Sequence, residues 1–420
     1  MNQTADHKTG GDAFGESKLP RRTLLGGLIT TAAVALVRSV TAQVLPGKGI
    51  APLPADPARL PGVPPGTLGT RSAFETLVKK PSEGSSRTPL QDLQGTITPA
   101  DLHFERHHGG VPAIDPLRYE LLIHGLVDRP MKFSLRNLKR FPSVSRTAFL
   151  ECSGNFRSGK ETMTPQEICG LTSQSEWTGV LLSTLFREVG VQRKATWFLA
   201  EGGDAAVMTR SIPVEKGWKD AMIAYAQNGE ALRPEQGYPA RLFLPGWEGN
   251  TNVKWIRRIE VSDQPFMTRE ETSKYTESVG HGKIRQFSFD MDARSIITHP
   301  AYPVQVEKGW IEIRGLAWSG RGKITKVEVS TDAGRTWFTA NLQEPVLDKA
   351  HTRFRYLWRW NGRETEIRSR ATDETGYVQP TLQQLVAARG RDMGSYHLNP
   401  VTSWLLKPDG TVLFRPEKWK

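Results

Sequence analysis

Between residues 101 and 270 the apolar positions follow two periods in irregular alternation. "YELLIHGLV" at 119–127, "RTAFLECSG" at 146–154, "ATWFLAEG" at 195–202 and "ARLFLPG" at 240–246 read as strands. "SLRNLKRF" at 134–141 predicts a short helix with Ser134 as its N-cap. In "GVLLSTLFREVG" at 179–190, Leu182, Leu185, Phe186 and Val189 stand at i, i+3, i+4 and i+7, and Gly190 ends the helix. This mixture predicts an α+β domain over 101–270. Past about 280 the helical period disappears. "WIEIRGLAW", "KITKVEVSTDAGRTWFTANL", "RFRYLWRWNG" and "TEIRSRATDETG" alternate with period two, so that Val327 and Val329 face opposite to Lys326 and Glu328. Asp332-Ala333-Gly334 marks a hairpin, and the strand spacing predicts an antiparallel all-β sandwich over 280–410.

Ahead of both domains, residues 43–100 are rich in Pro, Gly and Ser, which predicts an extended arm or linker. The first 42 residues read as an export leader. Arg21-Arg22 precede an apolar run from Leu24 to Val37, and Val40-Thr41-Ala42 offers a small-residue cleavage site. A twin arginine so placed predicts Tat export and a periplasmic protein, and no later stretch predicts a membrane span in the mature chain.

Composition narrows the chemistry. The 420 residues carry a net charge of +12, which suits anionic ligands or an acidic partner. The basic residues are dispersed, so nucleic acid is not expected. Two cysteines, Cys152 and Cys169, exclude a disulfide scaffold, a zinc ribbon and a c-type haem attachment motif. Three segments concentrate reactive side chains. In "ECSGNFRSG" at 151–159 a strand runs into a glycine-rich turn, with a thiol at its end and Arg157 nearby to favour the ionised sulfur. Gly154 to Lys160 also has the spacing G-x-x-x-x-G-K, but Glu161 stands where a P-loop needs a hydroxyl, against nucleotide binding. "LHFERHHGG" at 102–110 gathers donors suited to an anion, and a zinc site from His103, His107 and Cys152 has no second signature. Arg241 and Lys254 flank glycine turns and suit a phosphate.

In order along the chain, "FERHH" (104–108), "ECSGNFRSG" (151–159), "EWTGVLL" (176–182), "EGGD" (201–204), "EQGYPARL" (235–242) and "VKWIRRIEV" (253–261) together resemble the sulfite oxidase family of molybdenum enzymes. "GLAWSGRGKITKVEVSTDAGRTW" at 315–337 resembles that family's immunoglobulin-like dimerisation domain. The resemblance implies a molybdenum–molybdopterin cofactor with Cys152 as the one protein ligand to the metal. Phe104, Glu105, Arg106, His107 and His108 would line the pterin, and Asp204, Gln236, Arg241, Asn252, Val253 and Lys254 would hold it and its phosphate. Arg106 and Arg157 would hold an anionic substrate, Tyr275 would be the active-site tyrosine, and Trp177 would wall the pocket.

Three departures stand out: Gln236 where His is common, His107 where Asn is common, and Tyr396-His397-Leu398-Asn399 where the family carries a substrate arginine. With "RPEQGYP", "PGWEGN" and "MTREETSKYT", these departures resemble one branch, the molybdenum subunits of sulfane dehydrogenases. That branch implies a substrate sulfur carried on a cysteine of a carrier protein and oxidised to a sulfonate. Electrons would leave to a c-type cytochrome subunit that carries the haem, and the chain would dimerise through its C-terminal domain. The alternatives are a dehydrogenase of free sulfite with the same acceptor, and an exported β-sandwich binding protein without a cofactor.

Overall fold

The computed structural model describes residues 64–417 apart from 281 and 392. The expected leader at 1–42 and the first part of the arm, 43–63, lie outside the described residues.

Two sheets build the first half. One has the order Glu230–Ala231, Met222–Gln227, Thr172–Leu181, Val144–Glu151, with Arg241–Phe243 also pairing against Met222–Gln227. The other has the order Met131–Ser134, Glu120–Gly125, Ile256–Ser262, Trp197–Gly202, Thr209–Pro213, and its Ile256–Ser262 strand runs parallel to Glu120–Gly125. The helix Leu182–Val189 buries Leu182, Leu185, Phe186 and Val189 against Ile123, Phe198 and Ile259, the face its periodicity predicts. Gly190 ends it at φ 69°, a conformation that costs a residue with a Cβ. Ser134 caps the helix Leu135–Leu138 in a reciprocal box with Asn137.

The second half is the sandwich. Its four-stranded sheet runs Arg294–His299, Gly309–Trp318, Thr352–Trp360, Asn341–Leu342. Facing it are Phe338–Thr339, Ile324–Ser330, Thr365–Asp373, Ser403–Leu406 and Val412–Arg415. Trp318, Val327, Val329, Phe354, Ile367, Trp404 and Phe414 fill the space between, while Lys326 stays exposed. The Asp332-Ala333-Gly334 hairpin forms as expected, with positive φ at Ala333 and Gly334.

The described part of the arm is more than a linker. Lys80–Ser82 and Ser85–Arg87 form a hairpin, and Glu105–Arg106 adds a third strand. Thr98 N–H donates to Gln174 O (2.8 Å), and Arg353 of the sandwich donates to Leu93 O (2.6 Å), so the segment is bonded to both halves. Among the described residues no helix is long and apolar enough to cross a membrane.

Candidate active site

The strand Val144–Glu151 delivers Cys152 into a pocket enclosing about 660 Å³, counting the space open at its mouth. Cys152 N–H donates to Leu171 O at 3.0 Å, which fixes the strand end. Behind it Glu151 is fully buried and held from the sandwich side. Trp318 Nε1–H donates to Glu151 Oε2 at 2.6 Å, and Arg294 Nε lies 3.3 Å from Oε1. From the near side Asn155 Nδ2–H donates to Oε1 at 2.9 Å. The 247–252 loop crosses so closely that a Cβ on Gly249 would stand 2.8 Å from Glu151 O. Burial pushes the Cys152 thiol up, against the pull of the Gly154 amide and Arg106. A free thiol here keeps its proton until a soft metal displaces it.

Two cations in the wall lack a carboxylate. Arg241 is 1% exposed, donates to Gln236 O (3.0 Å) and Asn252 O (2.9 Å), and leaves Nε buried without a partner. Burial brings its pKa down to about 9. Lys254 donates to Glu235 O (3.0 Å) and to His107 Nδ1 (2.7 Å), and sits 4.4 Å from the centre of the Trp255 ring. Burial, reinforced by Arg241, holds its pKa well below the ordinary range. On its other side His107 Nε2 lies 2.8 Å from Glu105 Oε2. The His107 bond, with Lys79, brings Glu105 down to about 2.

Phe104 directly precedes the strand Glu105–Arg106, and His107 and His108 follow it; Phe104, Arg106, His107 and His108 all line the pocket. Arg106 is exposed at its mouth and, among the described residues, donates to the carbonyls of Gly84 and His107 alone. Gln236, where His is common, donates to Phe104 O at 2.9 Å. Asp204, Asn252 and Val253 also line the pocket. Tyr275 lies inside as well, its hydroxyl 3.0 Å from His108 Nε2 and its ring 5.0 Å from the Arg210 guanidinium. Burial pushes its pKa up, keeping it a neutral phenol.

Three expected residues fall elsewhere. Glu105 is not in the lining; it anchors His107 and Lys79 from behind. Trp177 does not wall the pocket either. It is fully buried, stacks on Phe243 (4.7 Å) and supports Arg241 at 5.1 Å. Arg157 leaves the site altogether. The turn after Cys152 closes through Asn155 N–H to Cys152 O, and Arg157 N–H then donates to Ile168 O, which places the residue in a separate surface cleft. The cation that acts on the Cys152 thiol is therefore Arg106. His103, weighed as a metal ligand, lies fully buried against Phe104 and Trp177.

The sequence did not show several residues that the fold adds. Leu150, Met208, Gly249, Asn250 and Trp255 join the lining, and Trp255 holds φ at 52°. Behind Tyr275 lies a buried charge network. Arg210 bonds Glu248 (2.8 Å) and Glu271 (2.7 Å), and His397 reaches Glu248 at 3.0 Å. His397 stands where the family's substrate arginine is expected, and neither it nor its partners Glu248 and Glu277 are among the lining residues. No local signal marked Arg210; its partners Glu248 and Glu271 are 38 and 61 residues away along the chain.

Comparison with known proteins gives this geometry a context. Residues 108–270 match the oxidoreductase molybdopterin binding domain, and residues 285–403 match the Mo-co oxidoreductase dimerisation domain. The sulfite oxidase of Gallus gallus is 30% identical over 362 residues, which cover 78% of this chain and 75% of that protein. The chain belongs to the sulfite oxidase family. Its α+β cofactor domain and β-sandwich dimerisation domain are those of the family. The NADH nitrate reductase of Solanum lycopersicum is 32% identical over 70% of this chain, but the chain spans only 38% of that protein's length. Among solved structures, the sulfane dehydrogenase SoxCD from Paracoccus pantotrophus matches with a TM-score of 0.77 and 44% identity, covering 83% of this chain and 90% of that one.

The family's cofactor is molybdenum–molybdopterin, and the residues present fit it. The orphaned Arg241 Nε and Asn250 Oδ1, and two lining cations without carboxylate partners among the described residues, are what an anionic, polar organic group would complete. Among the described residues no cluster of three His, Cys, Asp or Glu could hold a metal alone.

Proposed function

We propose that this chain is the molybdenum subunit of a periplasmic sulfane dehydrogenase. It oxidises sulfane sulfur bound to a carrier protein's cysteine and passes the electrons to a c-type cytochrome subunit. The observation that carries the reading is the 44% identity to the sulfane dehydrogenase over 83% of the chain, against 30% to the animal sulfite oxidase. The pocket supports it. Its lining holds only Arg106 at the mouth and Arg241 in the wall as arginines, so a small free oxyanion meets a sparse clamp. A tethered substrate needs less, because the carrier positions it.

When bound, the cofactor supplies the two-electron redox chemistry and the route by which oxygen from water reaches sulfur. The chain does the rest. Cys152 would hold the metal, and the grip on Glu151 from Trp318, Arg294 and Asn155 fixes where that sulfur stands. Arg241 and Lys254 would take the cofactor phosphate, with Asn252, Val253, Gln236 and Asp204 shaping the pterin cradle. Arg106 attracts the anionic sulfur group at the entrance. The neutral Tyr275 hydroxyl can donate towards the reacting group or exchange its proton with His108 at 3.0 Å, which opens a path to solvent. Export by the twin-arginine route, after the cofactor is inserted, and dimerisation through the sandwich complete the proposal. The +12 charge favours an acidic cytochrome partner.

The test is a steady-state assay of the exported holoprotein with cytochrome c. Substrate is offered either as free sulfite or as a cysteine-bearing carrier loaded with thiosulfate-derived sulfane. Turnover that needs the loaded carrier supports the reading. Comparable or faster turnover of free sulfite without carrier replaces it with a sulfite dehydrogenase.

A further inference from the structure

The loop between the helix Leu382–Arg389 and the strand Ser403–Leu406 carries Tyr396 to the rim of the cofactor pocket, beside Tyr275. The backbone just after it is held at three points. His397 N–H donates at 2.9 Å to the carbonyl of Ser153, the residue after Cys152. Arg389 donates to His397 O at 3.1 Å, and Arg294 donates to Leu398 O. His397 has φ at 51°, which is uncommon for a residue with a Cβ and holds only where the surroundings impose it. The position of the Tyr396 ring is therefore set by the fold.

On one side the ring meets the turn that follows the thiol. A Cβ on Gly154 would stand 3.8 Å from its Cδ1 and Cε1. On the other side it meets Tyr275, the centroids 5.4 Å apart and the planes at 46°. Tyr396 is half-buried. The Tyr275 hydroxyl reaches His108, but that of Tyr396 has no hydrogen-bond partner among the described residues. Burial, then the negative charge of Cys152 and Glu248, pushes its pKa up against the pull of Arg106, so it is a neutral phenol. Two uncharged rings thus stand side by side where the chain approaches the thiol, and one of them offers a free hydroxyl. Aromatic rings attract polarisable divalent sulfur. A compact oxyanion gains more from cations and oriented amides than from a phenol.

We propose that Tyr396 is a specificity-determining residue, pairing with Tyr275 to receive the divalent sulfur chain of a carrier-bound substrate and to disfavour a small oxyanion. This deepens the reading of the chain as a sulfane dehydrogenase and rests on it.

The test is steady-state kinetics of the molybdenum-loaded holoprotein with cytochrome c, normalised to molybdenum content. Wild type, Tyr396→Phe, Tyr396→Leu and Tyr396→Arg are each offered a sulfane-loaded cysteine carrier and, separately, free sulfite. Tyr396→Leu should raise KM for the loaded carrier about fivefold while kcat falls less, and Tyr396→Phe, which keeps the ring, about threefold. Tyr396→Arg should raise kcat/KM for sulfite at least about tenfold, the gain of a charge-assisted contact. The ratio of kcat/KM for carrier over sulfite therefore falls in both the Leu and Arg variants. An unchanged ratio in those two overturns the proposal. So does an equal loss of kcat on both substrates with KM unmoved, which marks Tyr396 as loop support. Should Tyr396→Leu fail to load molybdenum, Tyr396→Arg decides by the same ratio. Wild type that prefers free sulfite removes the sulfane reading, a failure distinct from an unmoved ratio in the variants.

Discussion

The sandwich core and the cofactor pocket of this molecule surround their charged groups differently. In the sandwich the interior is apolar, with Trp318, Phe354, Ile367 and Trp404 at its centre. Its carboxylates are paired: Asp373 with Ser319 (2.7 Å), Glu328 with Arg370 (2.9 Å), Glu366 with Arg368 (2.7 Å). In the cofactor pocket Arg241 is buried and Lys254 half-buried, neither has a carboxylate partner among the described residues, and Arg241 Nε has no partner at all. Buried polar atoms without a partner occur in both halves, Thr352 Oγ1 and Trp404 Nε1 of the sandwich among them; Arg241 and Asn250 differ in lining the pocket, where a ligand can complete them. The halves meet at Glu151, the residue before Cys152, which takes hydrogen bonds from both sides. The sandwich therefore does more than present a surface; it fixes the end of the strand that bears the thiol.

Four changes probe this contrast. The largest effect is expected for Arg210→Met, which strands Glu248 and Glu271 in the interior. Unfolding by denaturant should show a loss of about 3–5 kcal/mol, cofactor bound or not. Arg241→Met should act quite differently. Metal and pterin content of purified protein should fall at least about tenfold, while the cofactor-free form keeps or gains stability, because an unpaired buried cation has gone. Equal destabilisation of both forms would mean that Arg241 is structural.

Ile367→Val, in the sandwich, should cost about 0.5–1.5 kcal/mol equally in both forms and leave cofactor content unchanged. His397 gives the smallest effect, and it depends on pH. Burial opposes its charge but Glu248 outweighs it, so its folded pKa lies above the ordinary 6.5. Its contribution is full below that value and fades as pH rises through the folded pKa. The unfolding midpoint should thus decline with rising pH more steeply in wild type than in His397→Gln.

Much of the fold was legible because burial follows period. Val327 and Val329 alternate with Lys326, and the stripe Leu182, Leu185, Phe186, Val189 packs as its spacing demands. Most of the pocket was legible as motifs, from Phe104 to His108 and from Asn252 to Lys254, because each is a local run carried on one loop. Arg157 was not, because spacing from Cys152 gives a distance along the chain and no direction. The turn at 152–156 and the bond to Ile168 O send it to another face. Trp177 was misplaced for a related reason: its strand position points it inward, Nε1 on Ala148 O at 3.2 Å, so it touches Arg241 and not the cavity. The Arg210–Glu248–Glu271–His397 network joins four distant segments, and nothing local in any of them specifies the others.

The central claim is that Cys152 fixes the molybdenum of a cofactor held in this pocket. The direct measurement is molybdenum content together with X-ray absorption at the metal edge, on wild type and Cys152→Ser exported from the native host. About one molybdenum per chain in wild type, and one fewer sulfur neighbour or a loss of metal in the variant, is the predicted result. Folded, exported wild type without molybdenum, or an identical sulfur shell in the variant, would contradict it.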